Sequence, residues 1–134
     1  ESRQSQASLR GSETIVIAED HEQVRDLAAM VLKQQGYTVL TARNGSRALD
    51  VMHQHSGPVD LLVTDVVMPE INGRDLFAQA CSMHPGLKVL YISGYTDDMI
   101  VHQGVLEEGI AFLQKPFTVR ALAGKVREVL DQTA

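Results

Sequence analysis

From Thr14 onward the chain alternates between two apolar patterns. Thr14-Ile15-Val16-Ile17-Ala18 is a continuous, β-branched run, as expected for a strand covered on both faces. Val24, Leu27, Ala28, Val31 and Leu32 then recur at helical spacing until Gly36 interrupts them. The alternation repeats. Thr38 to Ala42 predicts a second strand, and Asn44-Gly45-Ser46 opens a helix carrying Ala48, Leu49 and Met52. Gly57-Pro58 breaks the chain before a strand over Asp60 to Thr64, and a third helix follows from about Arg74 to Met83, closed by Pro85-Gly86. Lys88 to Ser93 predicts the fourth strand, a weaker helix lies near Asp98 to Glu107, and Ala111 to Gln114 predicts the fifth strand. Thr118 is placed to cap a last helix whose stripe is Val119, Leu122, Ala123, Val126, Val129 and Leu130.

Five strands in alternation with five helices define an α/β domain. Apolar runs need cover on both faces, so the expected architecture is a doubly wound, five-stranded parallel sheet. Right-handed crossovers put all strand C-terminal ends on one edge, where sites of such folds lie. The domain is expected over residues 14–132. Residues 1–13 are rich in Ser, Gln and Arg without periodicity and read as a disordered lead-in or linker.

Composition narrows the class. The chain has 134 residues and a formal net charge of -5, which disfavours direct binding to nucleic acid. No apolar run reaches the ~18 residues of a membrane span, and no signal peptide is evident, so a cytoplasmic protein without membrane contact is expected. The single cysteine, Cys81, excludes an intramolecular disulfide and sits in a helical pattern as a small hydrophobe. The first residue is Glu1, so the chain is expected to be processed or cut from something longer.

The strand ends carry the chemistry. The first strand runs into Glu19-Asp20, the third into Asp65, the fourth into Ser93 and the fifth into Lys115-Pro116. Helix capping explains one or two such residues but not three carboxylates, a hydroxyl and an ammonium on one edge. Converging carboxylates repel and raise one another's pKa unless a cation intervenes. Mg²⁺, a hard cation with octahedral oxygen ligation, suits that need, and Lys115 adds a second positive charge. Such a site fits phosphoryl transfer to a carboxylate. His53 and His55 form an H-x-H pair, but residues two apart on a helix point apart, so surface histidines are expected.

These motifs resemble the receiver domain of two-component response regulators and hybrid histidine kinases. The matching pieces are Glu19-Asp20, Asp65-Val66-Val67-Met68-Pro69 with Gly73, Ser93-Gly94 and Lys115-Pro116-Phe117, in order and at βα spacing, over about Thr14 to Leu130. The resemblance implies flavodoxin-like topology and makes Asp65 the phosphoacceptor. It implies direct Mg²⁺ ligation by Asp20, Asp65 and the carbonyl of Val67. Glu19 stands where Asp is commoner, and its longer reach opens direct ligation by it as well. Ser93 becomes the switch hydroxyl, Phe112 the switch aromatic, and Lys115-Pro116 a cis peptide. The implied partner is a histidine kinase or histidine phosphotransfer domain, with the domain catalysing its own phosphorylation and dephosphorylation. The context expected from 91–97 and 112–117 is the C-terminal receiver of a hybrid histidine kinase.

Two alternatives keep the fold and change the role: a stand-alone single-domain regulator, and an unphosphorylated pseudo-receiver that only binds proteins. The intact Asp65, Ser93 and Lys115 argue against the second. An aspartate-dependent phosphatase would place a second Asp two residues after its nucleophile, and that position is Val67. No G-x-G-x-x-G or P-loop pattern supports a nucleotide-binding enzyme.

Overall fold

Successive side chains of a strand point to opposite faces, and here both faces are apolar. Ile15, Ile17, Leu61, Val63, Leu90 and Ile92 face one core, and Val16, Ala18 and Leu62 face the other. The sheet is therefore covered on both sides. In the computed structural model, which describes residues 11–66, 68, 70–93 and 111–132, the order is β1 (Thr14–Ala18), α1 (Glu22–Gln34), β2 (Thr38–Ala42), α2 (Gly45–Gln54), β3 (Leu61–Asp65), α3 (Gly73–Met83), β4 (Lys88–Ser93), β5 (Phe112–Gln114) and α4 (Val119–Asp131). Helices α1 and α4 close the first core with Ala28, Val31, Leu32, Leu122 and Val126. Helices α2 and α3 close the second with Ala48, Met52, Leu76 and Ala80.

All strand pairs are parallel and the order is β2-β1-β3-β4-β5, the flavodoxin-like arrangement. The expected five-stranded sheet is present. Four helices lie among the described residues; the helix expected near Asp98 to Glu107 falls outside them.

Three helices start on side-chain caps. Asn44 accepts from Arg47 N at 2.8 Å, Asn72 from Asp75 N at 2.8 Å, and Thr118 from Ala121 N at 3.0 Å. The start of α1 differs. His21 supplies no side-chain cap; its backbone N donates to Glu19 Oε2 at 2.8 Å, which draws that carboxylate to the sheet edge.

Two apolar positions depart from the periodic expectation. Leu27, expected on the inner face of α1, is 37% exposed, and Ala29 is buried in its place. Val119, expected in the stripe of α4, is 50% exposed at the first position of that helix. Both helices bury the face that lies closest to the strands, and small residues serve there as well as large ones.

Gly11, Ser12 and Glu13 precede β1 and contact the domain. Gly11 N donates to Gln35 O, and Glu13 O accepts from Thr38 N, each at 3.0 Å. Arg127 of α4 grips the Glu13 carboxylate at 2.7 and 3.2 Å and also donates to Tyr37 Oη. Arg127 and the backbone together hold the Glu13 carboxyl below the usual range against its partial burial.

Candidate functional site

Strand register assembles the site. Ala18 is level with Thr64 across the β1–β3 pair, so Glu19 and Asp65 leave the sheet side by side. Ser93 is level with Gln114 across β4–β5, and Lys115 N donates to Ser93 O at 2.7 Å, one step beyond. Lys115 therefore lies beyond β5 at the edge where the two carboxylates emerge. Its Nζ lies 3.0 Å from Glu19 Oε1 and 3.1 Å from Asp65 Oδ1. Those carboxylate oxygens are fully buried and, despite the ion-pair distances, have no aligned hydrogen bond; Ser93 Oγ is buried and equally unpartnered among the described residues.

Asp20 completes the cluster from an exposed position. One carboxylate oxygen each from Glu19, Asp20 and Asp65 lie within 4.8 Å of one another. Burial, then the Glu19 carboxylate, push the Asp65 carboxyl up to about 8. Lys115 acts in the opposite sense on Asp65, and its own ammonium is held above the ordinary lysine value by the two carboxylates despite partial burial. For Asp20 burial is the largest influence, but hydrogen bonding within the cluster outweighs it and the net shift is downward. Three acids at one edge, two of them buried, facing one ammonium are short of positive charge. The donor set is all oxygen, and two of its atoms are buried without aligned donors, so these residues fit a hard divalent cation such as Mg²⁺.

The expected residues Glu19, Asp20, Asp65, Lys115 and Ser93 thus gather at one edge. Val67, expected to offer its carbonyl, lies outside the described residues. Phe112 is 39% exposed and level with the buried Tyr91 of β4. Lys115-Pro116 is cis, as the resemblance implies. Of the histidines, His21 and His53 are exposed and His55 is half-buried.

Two contributors, Arg25 and Thr64, are not singled out by the sequence patterns, whereas Gly73 belongs to the motif that carries the resemblance. Arg25 Nη1 donates to the Glu19 carbonyl at 2.9 Å, pinning the backbone that carries the acid pair. Thr64 Oγ1 donates to the Asp65 carbonyl at 3.0 Å and also approaches Met68 Sδ. A hydroxyl ending the aliphatic run Leu61-Leu62-Val63 is the signal that could have flagged Thr64, since a buried hydroxyl needs a partner. Gly73 opens α3 directly under the site: a Cβ there would collide with the Asp65 carbonyl oxygen.

Comparison with known proteins identifies the family. The family model described as response regulator receiver domain matches residues 15–127. The chain belongs to that family, and so is a receiver domain of two-component signalling. Among its relatives, it is 38% identical over 124 residues to the sensor kinase CckA of Brucella abortus (strain 2308), covering 92% of this chain but 13% of that protein. It is 31% identical over 116 residues to the response regulator receiver protein CpdR of the same organism, covering 87% of this chain and 95% of that one. The crystal structure of the receiver domain from hybrid histidine kinase CckA superposes with a TM-score of 0.73 at 34% identity, over 88% of this chain and 99% of that one. Among the described residues no helix is long and apolar enough to cross a membrane.

Proposed function

We propose that this receiver accepts a phosphoryl group on Asp65 from the phosphohistidine of a histidine kinase or histidine phosphotransfer domain. The observation that carries this reading is the placement of Lys115 Nζ at 3.0 and 3.1 Å from Glu19 and Asp65, whose facing oxygens are otherwise unpartnered. The Asp65 carboxylate is the nucleophile: one of its oxygens bonds to phosphorus as the phosphorus–nitrogen bond of the donor breaks, and the histidine leaves with the electron pair. Lys115 stabilises charge on the moving oxygens as a point charge. Glu19, Asp20 and Asp65, with the Val67 carbonyl, are the groups proposed to hold Mg²⁺. When bound, that ion supplies electrostatic stabilisation of the phosphoryl oxygens and lets Asp65 ionise.

Ser93 and Phe112 are assigned the switch. An unpartnered buried hydroxyl is costly, and phosphoryl oxygens arriving on the neighbouring strand offer it acceptors. Phe112 turns inward as Ser93 moves. Similarity to the CckA sensor kinase favours a place in a hybrid kinase; CpdR, spanned over 95% of its length, represents the single-domain alternative.

Intact-mass spectrometry with acetyl phosphate and Mg²⁺ tests the core of the reading. One phosphoryl group is expected on the parent chain and none on Asp65→Asn. Equal labelling of the two, or no labelling of the parent, overturns it.

A further inference from the structure

On the far side of β1 from Lys115, a shallow cavity of about 410 Å³ is lined by Arg25, Thr41, Ala42, Arg43, Arg47 and Val51. Three arginines thus line one open space in a chain whose formal net charge is -5. Among the described residues none of the three is in an ion pair with a carboxylate, although Glu22, Asp26 and Asp50 lie on the same two helices. Like charges gathered without counter-charge repel, and the arrangement is relieved by an anion. Arg43 and Arg47 are exposed and able to turn toward a ligand, whereas Arg25 is half-buried and anchored through its bond to the Glu19 carbonyl. The start of α2 is already capped by Asn44, so the side chains and not the helix end define the space.

We propose that this cavity binds a small anion carrying at least two phosphate groups, such as inorganic pyrophosphate or the diphosphate of a nucleotide. The guanidinium fork matches phosphate oxygens in bidentate fashion; the exposed Arg43 and Arg47 offer two forks and Arg25, tied to the Glu19 carbonyl, adds a third positive charge, which together suit more than one phosphate. The volume falls in the range of small-molecule sites, about 300–1,000 Å³. The anion site adjoins the acidic cluster through Arg25, which bonds the Glu19 carbonyl, but uses none of its carboxylates and does not require phosphorylation of Asp65.

Calorimetric titration of pyrophosphate into the metal-free chain, with backbone amide shifts followed by NMR, tests the proposal. One equivalent is expected to bind, with shifts concentrated at Thr41 to Arg47. The double variant Arg43→Gln/Arg47→Gln, altered only at exposed positions, should lose at least tenfold in affinity. Lys115→Gln, which removes the cation of the other site, should keep it. A nucleoside diphosphate binding more tightly than pyrophosphate assigns the source to a nucleotide, and equal binding assigns it to the phosphates alone. Orthophosphate binding as tightly as pyrophosphate, shifts centred on Lys115, or unchanged affinity in the double variant overturns the proposal.

Discussion

Asp65 is held in tension with its surroundings. In the metal-free state its carboxyl is pushed up to about 8 by burial and by Glu19. Between the ordinary aspartate value and about 8 the folded chain therefore keeps a proton that the unfolded chain has lost. The unfolded state binds fewer protons there, so this group lowers stability as pH rises through that window. Asp65→Asn removes the effect. In chelator, the melting temperature of the variant should exceed that of the parent by a margin that grows with pH across the window. Glu13, whose shift runs the other way and owes nothing to Asp65, is present in both proteins and cancels in the comparison. A margin that is flat in pH would show that Asp65 ionises normally. A second residue-scale prediction concerns Gly73. A methyl group at this position meets backbone at Asp65, which cannot rotate away. Gly73→Ala should cost at least the ~1–3 kcal/mol of an overpacked core and slow phosphorylation of Asp65 as well. Chemical denaturation and labelling rate measure the two effects separately.

At the scale of elements, the strands were more legible than the faces of the helices. A strand covered on both sides is apolar at every position, so Ile15 to Ala18 and Leu61 to Val63 announce themselves. A helix presents a stripe whose edges depend on what it packs against. Leu27 and Ala29 flank the same stripe of α1, and the pattern alone prefers the larger residue, whereas the sheet accepts the smaller. Caps are local and read well: Thr118 accepts as expected, and Asn44, in the segment expected to open a helix, caps it. Thr118→Ala should therefore destabilise the chain by ~1 kcal/mol in urea unfolding while leaving labelling of Asp65 intact. The convergence of Glu19, Asp65 and Lys115 was legible only through topology, since parallel register is what sets residues far apart in sequence side by side. The hold of Arg25 on the Glu19 carbonyl was not legible, because a side-chain bond to backbone six residues away leaves no periodic trace.

For the whole molecule, a cation bound by the folded state alone stabilises it by mass action. With free Mg²⁺ about a hundredfold above its Kd, the gain should be ~2.7 kcal/mol. Thermal melting with and without Mg²⁺ should show a rise for the parent and a much smaller rise for Asp20→Ala. An equal rise in both would mean that the ion acts elsewhere.

The grip of Arg127 on Glu13 bears on how the domain can be tethered. Lys88, at the start of β4, donates through Nζ to Leu130 O at 2.8 Å and to Gln132 O, while Glu13 O receives Thr38 N at the start of β2. Both outgoing paths of the polypeptide are thus fastened at the edge where the strands begin, opposite the one where Asp65 emerges. A pull applied through the two paths would load the Glu13–Arg127 shackle and the Lys88 latch before it reached the strands bearing the phosphoacceptor.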